Sequence, residues 1–270
     1  MANFHIIAGA SGTWSHPTIR RIGFGDIRSA LASGVDDFLA MPSHLIFLCL
    51  IYPTVGLGLA VANQLELFYP LASGFALIGP FAAIGLYEVS RRRELGMAVT
   101  WRDAFDVLRS PALPSILALG LLLGVIFLCW LGAAQALYQW LFGAFAAQSS
   151  LDFAHEVLTT PRGLALILLG NGIGLVFAAL VLSISVVAFP LLIDRDSGAA
   201  VAVHTSIRAV AENPVMMAIW GLIVAVLLVI GSLPFFIGLA IVMPILGHAT
   251  WHLYRKVVET PAGGQPRGTA

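Results

Sequence analysis

Apolar residues fill this chain in long blocks, and the blocks rather than any short motif set its plan. Runs of roughly 20 apolar residues, the length needed to cross about 30 Å of hydrocarbon, occupy about 43–62, 70–89, 113–134, 164–188, 214–232 and 234–253. They predict an all-α, polytopic membrane protein with six transmembrane helices. The polar residues between the runs recur in a fixed order. An amphipathic stretch ends in proline at DDFLAMP (36–42), FDVLRSP (105–111) and RAVAENP (208–214). An outgoing span follows, and a return span closes on GPFAAIGLYEVSRRRE (79–94), FPLLIDRD (189–196) or MPILGHATWHLYRK (243–256). The pattern predicts three two-helix repeats, about 26–94, 100–196 and 199–256. Each starts and finishes on the same side, so they are parallel rather than inverted.

The stretches around 26–40, 100–109 and 199–212 mix apolar and charged residues at helical spacing, as in Trp101, Phe105 and Leu108 beside Arg102, Asp103 and Arg109. Such segments suit short cytoplasmic helices lying in the membrane interface; solvated connecting helices are the plainer alternative. On the far side the repeats differ. Turns near 63–66 and 232–234 are short, whereas YQWLFGAFAAQSSLDFAHEVLTTPRG (138–163) is an aromatic-rich insertion carrying Trp140, Phe142, Phe145 and Phe153. It either lies on the membrane surface or docks against a partner.

Composition supports the membrane class: 59% of the residues are hydrophobic and 10% charged, against about a quarter charged in soluble domains. The 14 basic and 14 acidic residues cancel, so nothing in the total favours nucleic acid. Their placement orients the chain. Arg20, Arg21 and Arg28, then Arg91 to Arg93 with Arg102 and Arg109, then Arg195 and Arg208, then Arg255, Lys256 and Arg267 all fall on one side, with Arg162 alone opposite. By the positive-inside rule both termini are cytoplasmic. The division is a cytoplasmic arm and interfacial helix at 1–42, a membrane domain at 43–258 and a flexible tail at 259–270. The arm carries no apolar stretch followed by a small-residue cleavage site, so the first span is expected to serve as its own insertion signal. Cys49 and Cys129 sit inside spans without a Cys-x-x-Cys pair, which points to packing rather than a disulfide or zinc framework.

Glycines four apart, Gly120 with Gly124 and Gly170 with Gly174, together with Gly56, Gly58 and Ala60, suit close helix packing;. Asn171 between Gly170 and Gly172 is polar at depth, which leaves a gating or unwound site open beside packing. Gln135, Gln139 and Ser183 are explained by interhelical hydrogen bonds. No acid or base lies in the central turns of any span, which weakens ion-coupled transport.

Polar groups collect instead where the return spans meet the cytoplasm. Aligned on Pro80, Pro190 and Pro244, Glu88 and His252 share one offset, Asp194 and His248 a second, and Arg91 and Arg255 a third. Symmetry thus predicts Glu88, Asp194, His248 and His252 at one depth. His248 and His252 share a helix face, as one metal ion would require, with carboxylates from neighbouring helices completing the shell. His44 and His204 are further ligand candidates. A haem would need a histidine from another helix, and His44 is the one placed for it. The competing assignments are a structural polar cluster, a metal or cofactor site, and a small-ligand or lipid-headgroup site. The metal identity is unknown, no cofactor is required, and no catalytic motif of the metalloprotease, serine-hydrolase or phosphate-loop types is present.

The segments GPFAAIGLYEVSRRRELG, FPLLIDRD and PILGHATWHLYR resemble a bacterial inner-membrane family, the domain of unknown function numbered 2189. Members often carry a cytochrome c oxidase subunit label, yet this chain lacks the histidines a haem-copper catalytic subunit needs across several spans. The resemblance therefore implies an accessory, assembly or interaction subunit beside a respiratory or other energy-transducing complex in the inner membrane, and carries over no catalytic residue. A small-solute transporter or channel with Asn171 near its path, and a cytoplasmic-side metal or haem protein, stand as alternatives.

Overall fold

The computed structural model describes residues 17–41, 79–81, 83–143, 150–195, 197–233 and 237–259. Most of the first two expected spans, with Cys49 and His44, and Phe145 of the insertion fall outside these residues. Within them the regular structure is helical, apart from one antiparallel bridge between Ile19 and Val258. The helices are α1 (Phe24–Ala40), α2 (Ile84–Glu94), a 3-10 helix (Trp101–Arg109), α3 (Leu113–Phe142), α4 (Ser150–Thr159), α5 (Pro161–Ser185), α6 (Ala188–Asp194), α7 (Ala199–Glu212), α8 (Pro214–Ser232) and α9 (Leu239–Val257).

The starts of these helices follow from local chemistry. Asp26 accepts from the Gly23 N–H at 2.9 Å, and Asp103 does the same for the Thr100 N–H. Thr160 Oγ1 accepts from the Gly163 N–H at 3.0 Å ahead of Pro161, a proline placed where its missing donor costs nothing. Asn213 likewise precedes Pro214 at α8, though its side chain makes no bond to the first turn of that helix.

Three helical stretches are long and apolar enough to cross a membrane: Leu113–Phe142, Pro161–Asp194 and Pro214–Ser232. The second includes a break at Val186–Val187. Pro190 has no N–H to bond four residues back, and the Val187 N–H turns to Ser206 Oγ of α7 at 3.2 Å. Helix α3 runs eight residues beyond the expected 113–134, so the first part of the aromatic insertion is helical. Tyr138 stacks on Phe142 at 5.5 Å and meets Phe153 of α4 edge-on at 5.6 Å. These ring contacts hold α4 against the end of α3. Gly174 of α5 leaves room for the Trp130 indole of α3, 3.3 Å from where a Cβ would stand.

Helix α9 is the central post of the polar end. Its second half buries His248, Ala249, Trp251, Leu253, Tyr254 and Val257. It packs chiefly on α1, then on α2, α8 and α6. The α1 crossing is close enough to demand glycine: a Cβ at Gly34 would stand 2.6 Å from Ala249 Cβ and 2.7 Å from its backbone N. By contrast α3 and α8 bury only 22% and 17% of their most apolar stretches, leaving Leu121, Leu128, Leu222 and Val229 exposed.

The two ends of the described chain are clasped. Arg20 N–H bonds Val257 O at 2.7 Å and Glu259 N–H bonds Thr18 O at 3.0 Å. Asn213, where α7 meets α8, accepts from Ile22 N–H at 2.8 Å and donates to Arg20 O at 3.0 Å.

Candidate functional site

A buried carboxylate organises the polar end. The inward face of α1 is Ile27, Ala30, Gly34, Asp37 and Phe38, so helical phase turns Asp37 inward while Asp36 stays exposed. Asp37 Oδ2 accepts from Ser90 Oγ of α2 at 2.5 Å and stands 2.9 Å from His252 Nε2 of α9. Its Oδ1 accepts from Arg93 Nη1 at 2.5 Å. Burial alone would raise the Asp37 pKa; the hydrogen bonds of His252 and Ser90 and the neighbouring histidine charges overcome this and hold it below 3.8. The group is therefore an acceptor at neutral pH.

That fixes the protons around it. A serine hydroxyl has one hydrogen, and the ionised Asp37 takes it. Ser90 Oγ also lies 2.7 Å from His248 Nδ1, so there the oxygen accepts and His248 Nδ1–H donates. In a neutral ring the remaining lone pair sits on Nε2. His248 is fully buried, and Nε2 has no hydrogen-bond partner among the described residues, although the Leu86 carbonyl neighbours the ring. Asp37, Ser90 and His248 thus form a directional hydrogen-bond chain, with His252 and Arg93 closing the carboxylate from its other sides.

The expected cluster resolves into three adjoining networks. Glu88 is gripped by Arg91 through two bonds of 2.8 and 2.9 Å and by Arg92 at 2.6 Å. Arg92 also reaches Asp103 at 2.5 Å and Asp106 at 2.8 Å on the 3-10 helix. Asp103 is held below its ordinary pKa first by the Thr100 N–H. In the third network Asp194 accepts from Tyr254 Oη at 2.6 Å and lies 3.5 Å from Arg255 Nη1. Arg255 Nε bonds Glu94 Oε1 at 2.9 Å, and Glu94 Oε2 accepts from Trp251 Nε1 at 2.9 Å.

His248 and His252 therefore meet through Asp37 and Ser90, Glu88 joins Arg91, and Asp194 joins Arg255. No group of three histidine, cysteine or acidic side chains is arranged to hold a metal ion among the described residues. Asn171 lies on an exposed face of α5, with Nδ2 donating to the Ile167 carbonyl at 2.7 Å. Asp37, Ser90 and Glu94 were not among the residues singled out from sequence, and Arg93 was singled out only as part of the basic run that orients the chain. The phase of α1 was the available signal for Asp37; Ser90 had none.

Residues 68–194 match the model of the family described as a predicted integral membrane protein, domain of unknown function 2189. This segment contains GLYEVSRRRE and most of FPLLIDRD, and so Glu88, Arg91 and Asp194; Asp37, His248 and His252 lie outside it. No curated protein and no solved structure matches the chain.

Proposed function

We propose that this integral membrane protein is a non-catalytic accessory, assembly or interaction subunit of a larger inner-membrane complex, of the respiratory or another energy-transducing kind. Its plan is six spans in three parallel repeats, each led by a cytoplasmic interfacial helix, with both termini cytoplasmic. The orders 3-10 helix, α3, α5–α6 and α7, α8, α9 support that plan, as does the one-sided distribution of basic residues.

The observation that carries the function is where the polar groups go. Glu88, Asp194, His252, Arg91 and Arg255 each direct their charged or ring atoms to partners within the chain. A substrate or metal site keeps such atoms available. Here they tie α1, α2, α6 and α9 together, while the apolar faces of α3 and α8 are left for lipid and for other subunits. Around Gly124 and Gly132 of α3 nothing lies within 4 Å of an added Cβ, which suits close approach of a further helix.

Native extraction in mild detergent or lipid particles tests this. The expected result is recovery of the chain in a heteromeric assembly, with Gly124→Leu and Gly132→Leu lowering recovery of the partner while leaving the thermal stability of the isolated chain unchanged. A chain that elutes alone, or as a homo-oligomer, under gentle extraction contradicts the proposal.

A further inference from the structure

Helix α1 is apolar on two sides. One side packs on α9. The other is a continuous stripe of Phe24, Arg28, Ala32, Val35 and Leu39, at the spacing of one helix face; Phe24 is 62% exposed and Leu39 65%. The 3-10 helix repeats the arrangement. Its threefold period sets side chains in columns: Ala104 and Val107 are buried, Asp103 and Asp106 bind Arg92, and Arg102, Phe105 and Leu108 face outward, with Leu108 64% exposed. Single exposed apolar residues need no explanation, but a stripe of them along each of two helices forms surface that something covers.

Connectivity identifies the cover. Only Ser110, Pro111 and Ala112 separate the 3-10 helix from α3, a span by length and apolarity. The start of helix α1 is fixed at the same level, because the Ile22 N–H just before it bonds Asn213, the residue from which α8, another span, begins. The 3-10 stripe and the leading end of the α1 stripe therefore lie where spans emerge from the hydrocarbon. Each carries an arginine, Arg28 or Arg102, able to lay its stem along apolar surface and reach phosphate.

We propose that the outer stripe of α1, and likewise that of Arg102, Phe105 and Leu108, is a phospholipid-binding surface that inserts at the headgroup–acyl boundary of the cytoplasmic leaflet. It deepens the interfacial-helix plan above and rests on that orientation. It also gives the Asp37 chain a purpose: by fixing α1 to α2 and α9, that chain sets the depth at which the stripe meets lipid.

The test uses the full chain in phosphatidylethanolamine–phosphatidylglycerol vesicles. An environment-sensitive fluorophore is placed at Val35→Cys, Leu39→Cys or Leu108→Cys, with Asp36→Cys as the off-stripe control, after Cys49→Ser and Cys129→Ser. The first three labels should show blue-shifted emission, quenching by a spin label near the lipid glycerol, and loss of quenching by aqueous iodide; the Asp36→Cys label should keep iodide quenching. Stripe labels open to iodide overturn the proposal. So does shielding from both quenchers, which would mean a protein covers the stripe. Recovery of the chain alone in native extraction would remove the accessory role and leave this result standing.

Discussion

Replacing Asp37 by alanine strips three donors of their acceptor at once: the buried Ser90 hydroxyl, His252 at 19% side-chain exposure and Arg93 at 31%. Removing one partner of a buried, hydrogen-bonded ion pair costs about 3–5 kcal/mol. Arg93 and His252 are exposed enough to recover water, which lowers the expectation to about 2–4 kcal/mol. Ser90 and His248 have no such route, so most of the loss should come from them. Asp37→Asn keeps the size and one acceptor oxygen and should cost roughly half as much. Steric-trapping or detergent-titration unfolding of wild type, D37A, S90A and D37A/S90A gives the numbers directly. Because Asp37 and Ser90 share one hydrogen bond, the double variant should fall short of additivity by about 1 kcal/mol. A D37A change within about 0.5 kcal/mol of wild type, the range of unremarkable surface substitutions, would refute the reasoning. Simple additivity would too.

The pH dependence has a definite sign. The folded-state pKa of Asp37 is depressed below the ordinary 3.8, so its contribution is fully present above the unfolded value and is lost as pH falls through the folded one. The stability gap between wild type and D37A should close as pH falls below 3.8; a gap that persists unchanged well below that value contradicts the assignment. Gly34→Ala forces a Cβ to within 2.6–2.8 Å of Ala249 side-chain and backbone atoms. It should destabilise by about 1–3 kcal/mol in the same assay, and an unchanged midpoint would mean α1 does not cross α9 there. Asn213→Ala removes both bonds to the segment before α1. It should cost about 1–2 kcal/mol and speed hydrogen exchange at the Ile22 amide, whereas unaltered protection would mean other contacts hold that segment.

The helical class was legible because apolar runs long enough to span leave few other solutions. The amphipathic stretches at 26–40, 100–109 and 199–212 also correspond to helices α1, the 3-10 helix and α7. Boundaries were less legible. Helix α3 continues past its apolar run because Gln135 and Gln139 are tolerated inside a helix, and hydropathy alone cannot locate the end. Proline alignment picked out Glu88, Asp194, His248 and His252 together with Arg91 and Arg255, but not Asp37 and Ser90, which the histidines meet. Glu88 answers to arginines one turn along its own helix, whereas His252 answers to Asp37, 215 positions away, a contact that helix packing creates. The inward phase of Asp37 was already present in the spacing of Ile27, Ala30, Gly34 and Phe38. Ser90 becomes visible only once α2 is laid against α1 and α9.

Native mass spectrometry of the chain released from lipid particles tests the central claim most directly, because it reads partners and bound ligands together. The account predicts a heteromeric assembly in which this subunit has its bare polypeptide mass, with its polar end occupied by its own side chains. A lone chain carrying the added mass of a metal ion or small ligand, lost on His248→Ala or His252→Ala, would contradict it.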